Sequence, residues 1–523
     1  MDKVHLSRIS NFLITSFEKE ADIGQTRNGI NVSHVVTQIA TWYENFRNAM
    51  DYREKEVARR AAIERILKRR LLFGGDGQKI APPLIRELLW ARYFPESSIA
   101  EEEVEKVAKL IDLYLGLREQ LLQKELKNIN IDGLIYELLS SRIEIMLNKN
   151  RDIDVISNFI FHILRDNITI TDDVPETRDI QVFIAVRRTF AKDDRAFLYY
   201  HLFEQYFGKL NERNISRIVS AFKDGYQEVT KQLNYKLKDR IASYVKKQIP
   251  PFLIFGEILQ IERGDIRGLI ADTQKFQDSV SQTAEARYKT ISDRVRRAMI
   301  RAVILILLTK FIFAFSVELT YDNLFLGRVM WRAILINIFI PPILMVIASF
   351  FIRTPGKDNT KRIYERIMNI LLYEKPQLDR PLVLSLKPIR RHPTLHLIFT
   401  TLWWIAFVLS FGLIIFILGK LEFSIASMGV FLFFLALIAF FTYRIGQTAR
   451  SYTVAEKQGI FSPIVDFFFM PIVRVGRHLA EGVAKINILV YIFDYLIETP
   501  FKEIFGFLEQ WFFFLQTKRE ELG

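Results

Sequence analysis

The chain of 523 residues is 50% hydrophobic, carries 72 Lys and Arg against 59 Asp and Glu for a net charge of +13, and contains no cysteine, which excludes disulfides, thiolate metal sites and cysteine nucleophiles. The basic excess is unevenly placed. Residues 1–290 hold 45 basic and 42 acidic side chains, net +3, and residues 291–523 hold 27 and 17, net +10, so the charge accompanies the apolar half and fits membrane topology better than nucleic-acid binding.

The first twenty residues, MDKVHLSRISNFLITSFEKE, hold only a short apolar patch and no small-residue cleavage site, so no secretory signal peptide is expected. Up to about residue 290 the chain has a soluble character and helical periodicity, over roughly 33–72, 132–148, 152–164, 178–190, 192–210 and 213–247. Ser98-Ile99-Ala100-Glu101 has the form of a capping box ahead of another helix, EEEVEKVAKLIDLYLGLREQLLQ. Breaks fall at the GGDG of 74–77, at the acidic turn TDDVPE of 171–176, and at Pro250-Pro251. From Asp272, the residues Phe276, Val280, Ala284, Tyr288, Ile291, Val295 and Ala298 recur every three or four positions without a Pro or Gly. This stripe runs into the first membrane segment, which predicts one stalk-like helix of ~45 residues and about 68 Å.

Four apolar runs are long enough to span a bilayer: 299–317, 333–352, 395–418 and 423–443. The 42 residues of 353–394 hold ten Lys/Arg against four acids, while the connections 318–332 and 419–422 hold two and one basic residues. The positive-inside bias therefore puts the N-terminal half, the middle loop and the C-terminal tail on the cytoplasmic side of an inner membrane. Beyond residue 461 the runs FSPIVDFFFMPIV, INILVYIFDYLI and EIFGFLEQWFFFLQ are short and broken by acids, as expected of segments packed against the bundle or lying at its interface.

Catalytic signatures are missing: there is no GxxxxGK[ST], HExxH, GxSxG or EF-hand loop. GGDGQK follows a basic helix end rather than a strand, so it reads as an interhelix linker. The acids Asp172, Asp173, Glu176 and Asp179 are expected to cap a helix rather than bind a cation. His392 and His396, at the start of the third run, lack further ligands. Phe197, Tyr200, Phe203 and Phe207 have the spacing of a buried stripe rather than of a base-stacking platform. No catalytic residue, cofactor site or metal site is assigned.

The intramembrane candidates are Lys310, Asn337, Ile338, Pro341 and Pro342. Lys310 lies too far from either interface to snorkel. Each proline lacks an N–H, so the carbonyls of Asn337 and Ile338, four residues back, lose their helical donors. Lys310 lies eight residues from Glu318, about 12 Å, and Pro341 nine from Arg332, about 13.5 Å, so the two levels match. The expectation is a clasp in which Lys310 donates to those carbonyls. Glu318 is placed at the outer edge, which leaves no acid chain for a proton relay.

The predicted architecture is all-α: a helical cytoplasmic domain (1–271), a coupling helix (272–298), a four-span transmembrane bundle (299–443, with the cytoplasmic loop 353–394) and an amphipathic, aromatic-rich tail (444–523). The expected function is a non-enzymatic scaffold or adaptor. The alternative is a transporter or channel subunit with the second span lining a path. Expected partners are the lipid bilayer and a protein partner or a second copy, with no nucleic acid.

Overall fold

The computed structural model describes residues 5–21, 55–72, 74–95, 98–124, 126, 128–148, 152–350, 352, 354–376, 378, 380–387, 393–454, 462–485 and 511. The fold is all-α with almost no strand. In chain order the helices are α1 (Arg8–Ala21), α2 (Lys55–Leu71), α3 (Gly77–Trp90), α4 (Glu101–Leu122), α5 (Ile131–Leu147), α6 (Asp152–Leu164), α7 (Pro175–Val186), α8 (Arg195–Phe207), α9 (Ile215–Leu233), α10 (Lys238–Gln248), α11 (Pro250–Ile261), α12 (Ile266–Ala271) and α13 (Thr273–Phe313). They continue as α14 (Trp331–Phe350), α15 (Lys357–Leu372), α16 (Pro393–Lys420), α17 (Ile425–Ala449) and α18 (Ser462–Lys485). Two three-residue strands, β1 (Ile168–Ile170) and β2 (Leu382–Leu384), pair in parallel with Thr169 opposite Val383.

The soluble part has two apolar cores. The first gathers α2, α3, α4, α5, α8 and α9, and it includes the whole stripe Phe197, Tyr200, Phe203 and Phe207. Arg60 crosses from α2 to α8, donating to Glu64 at 2.5 Å and to Asp194 at 2.8 Å, while Asp194 caps α8 by accepting from the Phe197 N–H at 3.0 Å. The GGDG stretch is the expected linker: Gly74 and Gly75 take positive φ, and Asp76 caps α3 by accepting from the Lys79 N–H. The expected box at Ser98 shifts by two residues. Ala100 is the N-cap and Glu103 reaches back to its N–H at 3.1 Å, while Ser98 donates to the Pro95 carbonyl.

The second core joins segments far apart in sequence. Leu13, Ile14 and Phe17 of α1 meet α6, α7, α10, α11 and α12, the first half of α13, Ile363, Ile367, Ile370 and Leu371 of α15, Leu384 of β2, and Val454 after α17. The basic middle loop is therefore part of this domain, with the apolar face of α15 buried in it. Asn359 fixes the junction: its Nδ2 donates to the Tyr288 hydroxyl and the Tyr452 carbonyl, both at 2.8 Å, and its Oδ1 accepts from the Val454 N–H at 2.8 Å. The acids of 171–179 also serve this junction more than they cap. Asp172 accepts from Ser385, Asp173 accepts from the Tyr235 hydroxyl at 2.8 Å, and α7 starts at Pro175 without a side-chain cap.

The expected stalk is one unbroken helix, α13, capped by Asp272 and 41 residues long, about 61 Å at 1.5 Å per residue. Its N-terminal half is built into the second core through Phe276, Val280, Ala284 and Tyr288, so it does not project freely. Four helical segments are long and apolar enough to cross a membrane: Thr273–Leu326, Trp331–Phe350, Leu397–Lys420 and Ile425–Ala449. They carry many exposed apolar side chains, among them Ile304, Leu308, Ile312, Phe339, Phe399 and Val408, as lipid contact requires. The first of the tail runs forms α18, which packs on α16 and α17. Gly476 is pressed against the Ala436 carbonyl, where a Cβ would stand 1.9 Å from the oxygen. The two later runs, apart from Trp511, lie outside the described residues, as do residues 33–54 of the first predicted helix and the side chains of His392 and His396.

Candidate functional site

The first membrane segment places Lys310, Ala314, Glu318 and Asp322 four residues apart, and all four are buried. In a regular α-helix a step of four drifts by about 40°, because a turn takes 3.6 residues. Here the backbone widens to π-turns at Ala314–Glu318 and Asp322–Leu326. Their i→i+5 bonding enlarges the turn and offsets the drift, so the row stays on the bundle side. Gly327, at φ 64°, ends the segment and turns the chain towards α14.

On α14 the facing residue is Asn337. Its Oδ1 accepts from the Lys310 ammonium, and its Nδ2 donates to Glu318 Oε1 at 2.7 Å and to the Ser427 carbonyl of α17 at 3.1 Å. Glu318 Oε2 accepts from the Ser427 hydroxyl at 2.8 Å. The amide orientation follows from charge, with its carbonyl end towards the ammonium and its N–H end towards the carboxylate. Lys310 Nζ also stands 4.5 Å from the ring centre of Phe434 and 5.8 Å from that of Phe431. Such cation–π contact is worth ~2 kcal/mol in a dry site. Beyond Glu318, Asp322 accepts from the Met330 N–H at 3.2 Å through Oδ2, while its Oδ1 is buried without a hydrogen-bond partner among the described residues.

The five candidates read from sequence thus separate. Lys310 and Asn337 meet directly. Ile338 packs with Ala314 and Ile334 in a small apolar cluster, and Pro341 and Pro342 are buried within α14, which continues through both. The acceptor differs from the expected one: Lys310 bonds the Asn337 side chain rather than the carbonyls of Asn337 and Ile338. The reason is reach and charge, because the amide can serve the ammonium and Glu318 together and a backbone carbonyl cannot.

Glu318, expected beyond the run's last apolar residue, is fully buried between the helices. Its partners Asp322 and Ser427 were missed because the apolar run ends at the first acid. The recurrence of Lys310, Glu318 and Asp322 at multiples of four was the available signal. Chemically the cluster has one base and two acids held between three membrane helices. It can clamp those helices and can exchange a proton. Among the described residues no group of three His, Asp or Glu could hold a metal ion.

No family model, curated protein or solved structure matches the chain.

Proposed function

We propose that this protein is a multi-pass membrane scaffold whose helical domain, on the cytoplasmic side, recruits a protein partner without catalysing a reaction. One observation carries the reading: α13 runs unbroken from the second soluble core into the bundle. The middle loop and the segment after α17 join the same core, so the domain is held by three membrane helices rather than by one tether. That rigidity suits a platform that must keep a bound partner at fixed height and orientation. The charge balance of residues 1–290 directs that partner to be a protein and not a nucleic acid.

The test is crosslinking and pull-down of the full chain from native membranes. Recovery of a stoichiometric partner through residues 1–290 supports the scaffold. A partner-free protein that carries solute across proteoliposomes overturns it.

A second reading, a transporter or channel subunit, is favoured by the buried Lys310, Glu318 and Asp322, because ionisable groups at such positions mark pathways in many membrane proteins. Flux abolished by Lys310→Ala would select it. Against it stands the enclosure of the cluster, whose members are all buried.

A further inference from the structure

At the opposite, domain-facing end of the bundle, α13 and α14 diverge around a cavity of about 430 Å³ lined by Ser292, Arg296, Met299, Val303, Val346, Ser349 and Thr354 among others. Both walls change character in the same direction. Along α13, Ser292 and Arg296, with Val295 between them, give way to Ile300, Val303 and Ile304. Along the second wall, Thr354 and Ser349, with Ile352 between them, give way to Val346. The polar end faces the soluble domain and the apolar end faces the membrane interior.

We propose that this cavity binds one anionic glycerophospholipid, with its phosphate at Arg296 and an acyl chain along Val303, Ile304 and Val346. Charge is the first argument. Among the described residues no ion pair engages Arg296, the one basic side chain in the lining, which is exposed at the polar end. Basic pockets between membrane helices on the side of positive loops suit anionic headgroups. Volume is the second. The space lies within the ~300–1,000 Å³ of small-molecule sites, enough for a headgroup phosphate and the adjoining part of one acyl chain. Amphipathy is the third, since free phosphate would leave the apolar half of the cavity unused. The proposal is independent of the scaffold reading.

The test is native mass spectrometry of the full chain carrying defined lipids. Phosphatidylglycerol is expected to be retained in preference to phosphatidylcholine. Arg296→Gln should reduce retention about fivefold, on the scale of one basic contact near a membrane surface. Arg297→Gln, outside the cavity lining, should leave it unchanged. Ser349→Leu, which keeps every charge and fills the groove, should also reduce it. Equal loss in Arg296→Gln and Arg297→Gln would mean diffuse attraction and overturn the proposal. Equal retention of both lipids, wild-type retention by Ser349→Leu, or displacement of the lipid by inorganic phosphate at constant ionic strength would do the same.

Discussion

Lys310 and Glu318 are joined through the amide of Asn337, which accepts from the one and donates to the other. Opposite charges eight residues apart on one helix are thereby made to depend on a side chain from the next helix. The arrangement fixes not only that the first two spans meet but which faces meet.

The first expectation concerns this linkage. An isolated intramembrane hydrogen bond averages only ~0.6 kcal/mol, whereas a buried charge stripped of its counter-charge costs about 3–5 kcal/mol. The charge effect should win. Lys310→Met is expected to lower bundle stability by the larger amount, and Lys310→Met with Glu318→Gln to recover more than half of it. Thermal or steric-trap unfolding in micelles measures both. Additive losses in the double variant would show that the two charges are not coupled.

A second expectation uses the natural absence of cysteine. Thr169 and Val383 are register partners, and both side chains are exposed on their strands. Adjacent strands lie about 4.8 Å apart, within the Cα range of a disulfide. Thr169→Cys with Val383→Cys should crosslink in intact membranes under mild oxidant, with no competing thiol in the chain itself. A reduced pair that stays reduced would mean that the middle loop does not dock on the N-terminal domain.

Asn359 provides a third. It makes three hydrogen bonds to two separate segments, α13 and the stretch after α17, and leaving buried polar groups unpaired costs ~1–3 kcal/mol each. Asn359→Leu is expected to destabilise the second core by about 3 kcal/mol while the first core unfolds as before. Hydrogen exchange resolves the two, with faster exchange expected in α15 and the start of α13 and unchanged protection in α4 and α5.

The fourth is a pH dependence. Burial alone pushes the Glu64 carboxyl up, but Arg60 and Lys68 outweigh it and hold the group below its ordinary value of 4.5. A depressed carboxyl pKa contributes stability that is present above the unfolded value and lost as pH falls through the folded one. Wild type should therefore lose more stability than Glu64→Gln on acidification from pH 5 to below 4. Parallel denaturation curves for the two proteins across that window would refute the ion-pair account.

What the sequence disclosed was set by the length scale of the signal. Twenty-residue apolar runs and the seven-residue stripe from Phe276 repeat a pattern many times, and both the four spans and the helical class were legible. The proximity of Lys310 to Asn337 was legible from counting depth. The acceptor atom was not, because a proline-orphaned carbonyl and a side-chain amide at the same position are equivalent in a depth count. Asp322 lies past the end of the apolar run, and the two π-turns that keep it in line with Lys310 leave no local mark in composition. The docking of the middle loop combines the apolar face of α15 with two three-residue strands and one asparagine, and an amphipathic face does not by itself say what will cover it.

The unbroken course of α13 gives the buried lysine a mechanical meaning. Turning a helix by one residue rotates it by 100° and advancing it by one residue slides it 1.5 Å; either displacement would pull Lys310 off Asn337 and the Phe434 ring. Lys310 then acts as a key in a slot cut by α14 and α17. Torque or thrust generated where Tyr288 meets Asn359 reaches that slot undamped, some 22 residues along the same rod.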